Sequence, residues 1–475
     1  MSKKFYITSP IFYPNGELHI GHAYTMVVCD IFARYHRLME EDTYFLTGAD
    51  ENSAKIEKTA AARGVGVGPF LDDMTDQFKK LFADIGASYD QFIRTSDQKV
   101  HWPGAQAVWK RLVDVGDIYK SAYKGLYCPD CEAFYTEKDL VDGNCPFHHK
   151  PPQVIEEENY FFKLSKYTER IKKAIETGEL EVMPVSRKNE ILAQLGRGLD
   201  DVSFSRPAKT LGRGIPVPGD DSQIIYVWCD ALVNYISALG YGTGNDELFK
   251  KFWPADVHVL GKDILRFHAA IWPGMLLSAG LPLPKRILVH GLIMSGGKKM
   301  SKSIGNTIDP KVLLDEYGKD AFRYYVARHI PLFDDGEMTM DIFKESYNAG
   351  LANGVGNLTN RIMKMAEMNL AEPVAIPKKS IPQNFKDAFE SFDLNKAADI
   401  IWTEIGAMDL FIQENQPFKL IKEDKEKAIE IIKGLVVRLY TVGRMLNPIL
   451  PETSDKIKAV VKKNKMPTEA LFLRK

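Results

Sequence analysis

Apolar and polar positions change period several times along the first part of the chain. Phe5-Tyr6-Ile7-Thr8 is a short apolar run that meets a Pro and Gly turn, and the pattern becomes helical from His19. This predicts a strand, a loop and a helix start. Tyr44 to Ala49 predicts a second strand ending at Asp50-Glu51, with a helix over Ser53 to Arg63 behind it. Phe70 to Ile85 and His101 to Val115 carry apolar residues at helical spacing, the second run stopping at Gly116. Further on, Gln223 to Trp228 predicts a strand and Ala231 to Leu239 a helix; the apolar run Asp256 to Gly261 precedes a helix over Ile264 to Trp272. Strands alternating with helices predict an α/β domain with a doubly wound parallel sheet.

Between Gly116 and about Ile225 the composition changes, and this stretch reads as an insertion. Beyond Ile308-Asp309-Pro310 the pattern is helical, over Leu313 to Tyr317 and Lys319 to Tyr325. From about Asn353 only helices are predicted, broken at Pro373 to Pro382, Pro417 and Pro448.

Composition narrows the class. The 475 residues are 45% hydrophobic and 26% charged, an ordinary globular balance with room for two to four domains. Lys+Arg at 62 against Asp+Glu at 63 excludes a polycation, so a nucleic-acid partner has to be met by a local basic face. Residues 351–475 hold 20 basic and 16 acidic residues, a mild excess that supports RNA docking weakly. Gly434 to Pro451 is interrupted by Arg438 and Arg444, so no segment reaches the ~18 uncharged residues of a membrane span. The N-terminus carries no secretory pattern, and a cytoplasmic protein is expected. Cys29 and Cys229 stand singly in apolar surroundings and read as core.

Three clusters carry candidate chemistry. His19-Ile20-Gly21-His22 opens a helix, where unpaired N–H groups and the dipole favour an anion and imidazoles can donate to phosphate. A nucleoside triphosphate is the expected ligand, although two histidines capping a core helix fit the same four residues. Ser295-Gly296-Gly297-Lys298-Lys299-Met300-Ser301-Lys302-Ser303 is a glycine-hinged basic loop, suited to a pyrophosphate or simply to solvent. Cys128 and Cys131, followed by Cys145 and His148, offer three thiolates and an imidazole for a closed tetrahedral zinc site of structural type, with His149 as the spare ligand. Tyr13, Trp228, Tyr235, Phe267, His268 and Trp272 fall at predicted strand ends and helix starts. They could wall an apolar pocket for a thioether, with Asp50 pairing an ammonium group.

The two motifs His19-Ile20-Gly21-His22 and Lys299-Met300-Ser301-Lys302-Ser303, in this order, resemble the signatures of class I aminoacyl-tRNA synthetases. Trp228 to Tyr235 and Gly261-Lys262-Asp263-Ile264 resemble the methionyl-tRNA synthetases, and the likeness runs from about Lys4 to the C-terminus. The single knuckle resembles the one-zinc bacterial form. The resemblance implies a Rossmann-like catalytic domain (1–115 and 226–290) with a zinc-knuckle insertion (116–225). It implies a KMSKS loop with a stem-contact connector (291–350), and an α-helical anticodon-binding bundle (351–475). It assigns methionine binding to Ile11, Tyr13, Asp50, Trp228, Ala231, Leu232, Tyr235, Ile264, His268 and Trp272. ATP binding falls to His19, Gly21, His22, Gly261, Asp263, Ile293, Lys299 and Lys302, of which His19, His22, Lys299 and Lys302 are the catalytic groups. Anticodon reading falls to Asn357, Arg361 and Phe418.

The implied reaction joins L-methionine to initiator and elongator tRNA(Met) through a methionyl-adenylate, with ATP as substrate, Mg²⁺ accompanying it and structural Zn²⁺. The insertion is too short for the editing domain of the isoleucine, valine and leucine enzymes. Asn52-Ser53 stands where the family usually has His-Gly, and Phe418 where it commonly has tryptophan. The chain stops at Lys475 without the domain through which some relatives dimerise, so a monomer is expected. A free-standing nucleotidyltransferase with the first motif would have no use for the helical third. A decayed paralogue would have lost His19, His22 or Lys302, and all three are present.

Overall fold

The computed structural model describes residues 3–16, 18–129, 133–135, 137–146, 149–300, 307–377 and 381–475. Two compact units divide the chain. One comprises Met1–Glu17, Asp42–Lys79 and Tyr89–His290; the other comprises Leu18–Glu41, Lys80–Ser88 and Gly291–Lys475.

The first unit is built on a six-stranded sheet in which every pairing is parallel. Its strands are β1 (Lys4–Phe12), β2 (Asp42–Ala49), β3 (Gln91–Arg94), β4 (Glu181–Met183), β5 (Val257–Gly261) and β6 (Arg286–His290). Their order is β3-β2-β1-β5-β6-β4, so the doubly wound sheet expected from the alternation is present. β1 lies at the centre and Phe5, Tyr6, Ile7 and Phe12 are buried, which explains why it reads as a continuous apolar run and not as an alternation. The helix Trp102–Asp114 packs Ala105, Val108, Trp109 and Leu112 into the core beside Tyr6 and Leu46 of the sheet. Gly48 of β2 is required by close approach: a Cβ there would stand 2.2 Å from the Ile93 carbonyl oxygen.

The inserted stretch adds a four-stranded antiparallel sheet whose longest pair is Ile118–Cys128 with Gln153–Phe162, and a three-stranded one around Asp220–Ile225. It also supplies β4, the edge strand of the main sheet, paired to β6 through Ile287 and Val182. Two boundaries differ from the periodicity. The strand expected to reach Trp228 ends at Ile225, and Trp228 lies in a helical turn, Val227–Ala231. The helix expected over Ile264 to Trp272 is a 3₁₀ turn (Lys262–Ile264), then a π turn (Phe267–Ile271), then an α-helix from Trp272. Apolar spacing marks a buried face but does not separate a helix of 3.6 residues per turn from a wider one.

Among the helices of the second unit are α1 (Ile20–Leu38), α2 (Lys319–His329), α3 (Asn357–Asn369), Gln383–Glu390, α4 (Leu394–Asn415), α5 (Lys425–Met445) and α6 (Pro451–Lys463). Asp393 and Asp424 cap α4 and α5 by accepting from the Lys396 and Lys427 amides. Deep in this unit the Arg323 guanidinium of α2 lies 2.7 Å from the Asp30 carboxylate of α1, both side chains fully buried. Arg323 also donates to the Ile449 and Pro448 carbonyls at 2.8 Å, while Asp30 accepts from Arg34 and from Ser88. Burial raises the Asp30 carboxyl pKa, but Arg323, Arg34 and Ser88 together hold it below its ordinary value. No helix among the described residues is long and apolar enough to cross a membrane.

Candidate active site

In the first unit the carboxyl ends of β1, β2 and β5 are neighbours in the sheet, and the candidate residues follow directly from them. Ile11 is the penultimate residue of β1 and Tyr13 comes just after its end; Asp50 follows β2 and is buried; Gly261 ends β5 and leads to Asp263 and Ile264. Open parallel sheets bind ligands at this edge because loops leave in opposite directions from neighbouring strands there.

Aromatic rings form one wall. Tyr13 meets Trp228 edge-on at 6.4 Å, and Trp228 stacks on Phe267 with ring centres 3.6 Å apart. A second group is centred on Tyr235, whose hydroxyl lies 2.7 Å from His268 Nε2 and whose ring stands 6.1 Å from Trp272. His268 Nδ1 lies 3.0 Å from the Ile264 carbonyl. The Leu232, Tyr235 and Trp272 side chains belong to the buried core, and Ile11, Ile264 and Phe267 pack against it partly buried; Ala231 is buried too. Burial lowers His268 to a pKa of about 4, so the ring is neutral at physiological pH.

Behind this wall runs a polar chain that the periodicity gave no sign of. Asn52 Nδ2 donates to Asp230 Oδ2 at 2.7 Å and to the Thr95 carbonyl at 3.0 Å. Asp230 Oδ1 accepts from His101 Nε2 at 2.5 Å, and His101 Nδ1 lies 2.8 Å from Ser237 Oγ. All four side chains are buried. Both partners of the Asn52 amide nitrogen are acceptors, which fixes the orientation of the amide. Its neighbour Glu51 turns elsewhere, accepting from Arg94, Thr75 and Ser96. Ser53 caps the following helix by accepting from the Lys55 amide.

In the second unit, His19 and His22 form a reciprocal cap. The Gly21 amide donates to His19 Nδ1 and the His19 amide to His22 Nδ1, each at 3.1 Å, with the rings 3.9 Å apart. Both Nδ1 atoms therefore accept, which leaves Nε2 to carry the proton of each neutral ring. Partial burial and the adjacent His19 hold His22 below the ordinary histidine range. The capping reading and the phosphate-donor reading are thus compatible. A Cβ on Gly21 would crowd His19 Cε1 at 3.0 Å.

Ile293 is buried in a short strand, β7 (Ile293–Ser295), that pairs antiparallel with β8 (Lys298–Lys299) and parallel with β9 (Gly336–Glu337). Lys299 joins this ladder through its backbone, opposite Met294. Lys302 lies outside the described residues.

Asn357 opens α3 and is exposed, and Arg361 one turn on is ion-paired with Asp409 of α4. Phe418, about half exposed, sits in the short helical turn that follows α4 after the left-handed Gln416. Cys128 ends a strand and is buried; Cys145 is buried in a tight loop where its amide donates to the Lys150 carbonyl and its carbonyl accepts from the His149 amide, both at 2.9 Å. Cys131 and His148 lie outside the described residues. Among the described residues no three histidine, cysteine or acidic side chains gather as a metal site.

Comparison with known proteins gives concordant matches. The family model described as tRNA synthetases class I (M) matches residues 5–153 and 138–363. The methionine–tRNA ligase of Clostridium acetobutylicum is 43% identical over 472 residues, covering 96% of this chain and 73% of the relative; that of Thermotoga maritima is 40% identical over 474, covering 96% and 74%. Among solved structures, Mycobacterium tuberculosis methionyl-tRNA synthetase in complex with methionyl-adenylate superposes with a TM-score of 0.90 at 34% identity, covering 99% of this chain and 100% of that one. Its apo form gives 0.84 at 31% identity, covering 100% and 99%.

Proposed function

This chain belongs to the methionyl-tRNA synthetases of class I, and from that premise we propose how its residues divide the work of joining methionine to tRNA. The reaction has two steps. The methionine carboxylate attacks the α-phosphorus of ATP, giving methionyl-adenylate and pyrophosphate; the terminal adenosine hydroxyl of tRNA then takes the acyl group and AMP leaves. The observation that carries the residue assignment is the aromatic wall Tyr13–Trp228–Phe267 beside the Tyr235–His268 pair, at the carboxyl edge of the parallel sheet.

Asp50 holds the substrate ammonium, a charge-assisted contact that fixes which end of methionine enters. Ile11, Tyr13, Trp228, Ala231, Leu232, Tyr235, Ile264, His268 and Trp272 enclose the thioether side chain. A neutral His268, occupied on both nitrogens, suits an uncharged sulfur better than a cation does. The Nε2–H groups of His19 and His22 donate to phosphate oxygens as charge spreads over them, and Gly21 keeps the approach open. Lys299 and Lys302 stabilise the departing pyrophosphate, and Gly261, Asp263 and Ile293 take the adenosine. Catalysis in this reading is positional and electrostatic, as is usual for transfer at phosphorus.

Mg²⁺ bound with ATP would supply charge to offset the phosphates. Cys128, Cys131, Cys145 and His148 would hold Zn²⁺, a donor set of the kind that makes a closed structural site. Burial of the two described cysteines, each at a turn, fits that role. Asn357, Arg361 and Phe418 read the anticodon of initiator and elongator tRNA(Met), with the Phe418 ring available for stacking. In this reading the enzyme works in the cytoplasm. The deciding experiment is amino-acid-dependent exchange of labelled pyrophosphate into ATP, followed by tRNA-dependent release of AMP. Exchange with methionine alone is expected, and exchange supported by another amino acid would discard the pocket assignment.

A further inference from the structure

Gly296 and Gly297 form the two-residue turn between β7 and β8, with φ of 62° and 69° and the pairs Ser295–Lys298 and Met294–Lys299 closing the ladder. Two successive left-handed residues are what a tight hairpin turn of matching twist requires, and glycine adopts them without strain. This turn introduces the lysine-rich stretch directly. A hairpin whose strands are three and two residues long is too short to be stable by itself.

What holds it is a carboxylate. The Glu337 side chain of β9 accepts from the Gly296 amide with one oxygen and from the Gly297 amide at 3.0 Å with the other. Such charge-assisted bonds are about twice as strong as neutral ones, and a bidentate pair also fixes direction. The Glu337 backbone is itself anchored. The Met338 amide donates to the Met294 carbonyl and the Gly336 amide to the Leu292 carbonyl, both at 2.8 Å, while Tyr325 of α2 donates its hydroxyl to the Glu337 carbonyl at 3.0 Å. The carboxylate thereby binds the backbone of the turn.

We propose that Glu337 is a positioning residue for pyrophosphate release: it clamps the turn Gly296-Gly297 so that the backbone of Lys298 and Lys299 in β8 is held in one strand register. The proposal rests on the synthetase reading above. It requires that the clamp matter to turnover and not to the amino-acid pocket. Glutamine keeps the length and one acceptor but turns an NH₂ towards the second amide, so it should serve partly; alanine should not serve at all.

The test uses the full chain with Glu337→Ala and Glu337→Gln. Pyrophosphate exchange is measured for kcat and KM, methionine affinity by tryptophan fluorescence without ATP, and trypsin cleavage after Lys298 and Lys299 by mass spectrometry. Expected are about a tenfold fall in kcat for Glu337→Ala with methionine affinity within about twofold of the parent, an intermediate kcat for Glu337→Gln, and faster cleavage in the same order. An unchanged kcat, or a parallel loss of methionine affinity, would overturn the proposal. If the parent protein showed no methionine-dependent exchange, the synthetase reading would fall first, and the cleavage rates alone would decide whether Glu337 holds the hairpin.

Discussion

The Tyr235 hydroxyl lies 2.7 Å from His268 Nε2, and this contact settles the protonation of the ring. Nδ1 of the same ring lies 3.0 Å from the Ile264 carbonyl, which can only accept, so Nδ1 carries the proton and Nε2 accepts from Tyr235. The candidate methionine pocket is therefore lined by a neutral imidazole with both nitrogens in use.

The neutrality has a pH signature. Burial takes His268 and His329 down to about 4 and His258 well below its ordinary value of 6.5. Between those values the unfolded chain binds more protons than the native one, so stability is unaffected above about pH 6.5 and falls as pH drops towards 4. For His268 the loss amounts to roughly 3 kcal/mol. Thermal scans should show Tm falling between pH 6.5 and 4.5, and His268→Gln should flatten the slope.

Asn52 holds a buried carboxylate, and its loss should be felt in stability first. Asn52→Ala leaves Asp230 Oδ2 and the Thr95 carbonyl without this donor, at about 1–3 kcal/mol for each buried group left unpaired. A lowered Tm together with a several-fold rise in the KM for methionine is expected, because Asp230 sits between Trp228 and Ala231 in one helical turn. An unchanged Tm would show that the network rearranges at no cost.

Lys302→Ala should slow pyrophosphate exchange by about a hundredfold, as loss of a group that acts on developing charge does. Methionine affinity should stay close to that of the parent. Equal losses in both would defeat the assignment.

Arg323→Met should cost about 3–5 kcal/mol by removing the fully buried cation paired with Asp30, whose charge Arg34 and Ser88 then hold by themselves. Arg323→Met combined with Asp30→Asn should lose less than the two single changes added together, and Tm values for the four proteins close the cycle.

Zinc removal should lower Tm without lowering methionine-dependent exchange at temperatures where the chain stays folded. Metal analysis should give one zinc per chain for the parent and none for Cys128→Ser with Cys145→Ser. Retention of zinc in that double variant would move the site elsewhere.

Read by itself, the sequence determined the elements and the candidate chemistry wherever the signal is local. The apolar run of β1, the capping histidines of α1 and the proline breaks before Gln383 and at Pro417 are each written within a turn or two of chain, because backbone sterics, caps and side-chain periodicity act over that distance. Apolar spacing failed where two geometries share it, as at Trp228 and over Phe267–Ile271. Contacts between distant residues were decided by the tertiary structure alone. Asn52 and Asp230 are 178 positions apart, and Gly296 and Glu337 are 41 apart. Asn, Asp and Glu at such positions read as ordinary polar residues until folding brings their partners within 3 Å. A hydrogen bond or ion pair depends on that distance and on burial, and neither quantity is a property of the residue type or of its neighbours along the chain.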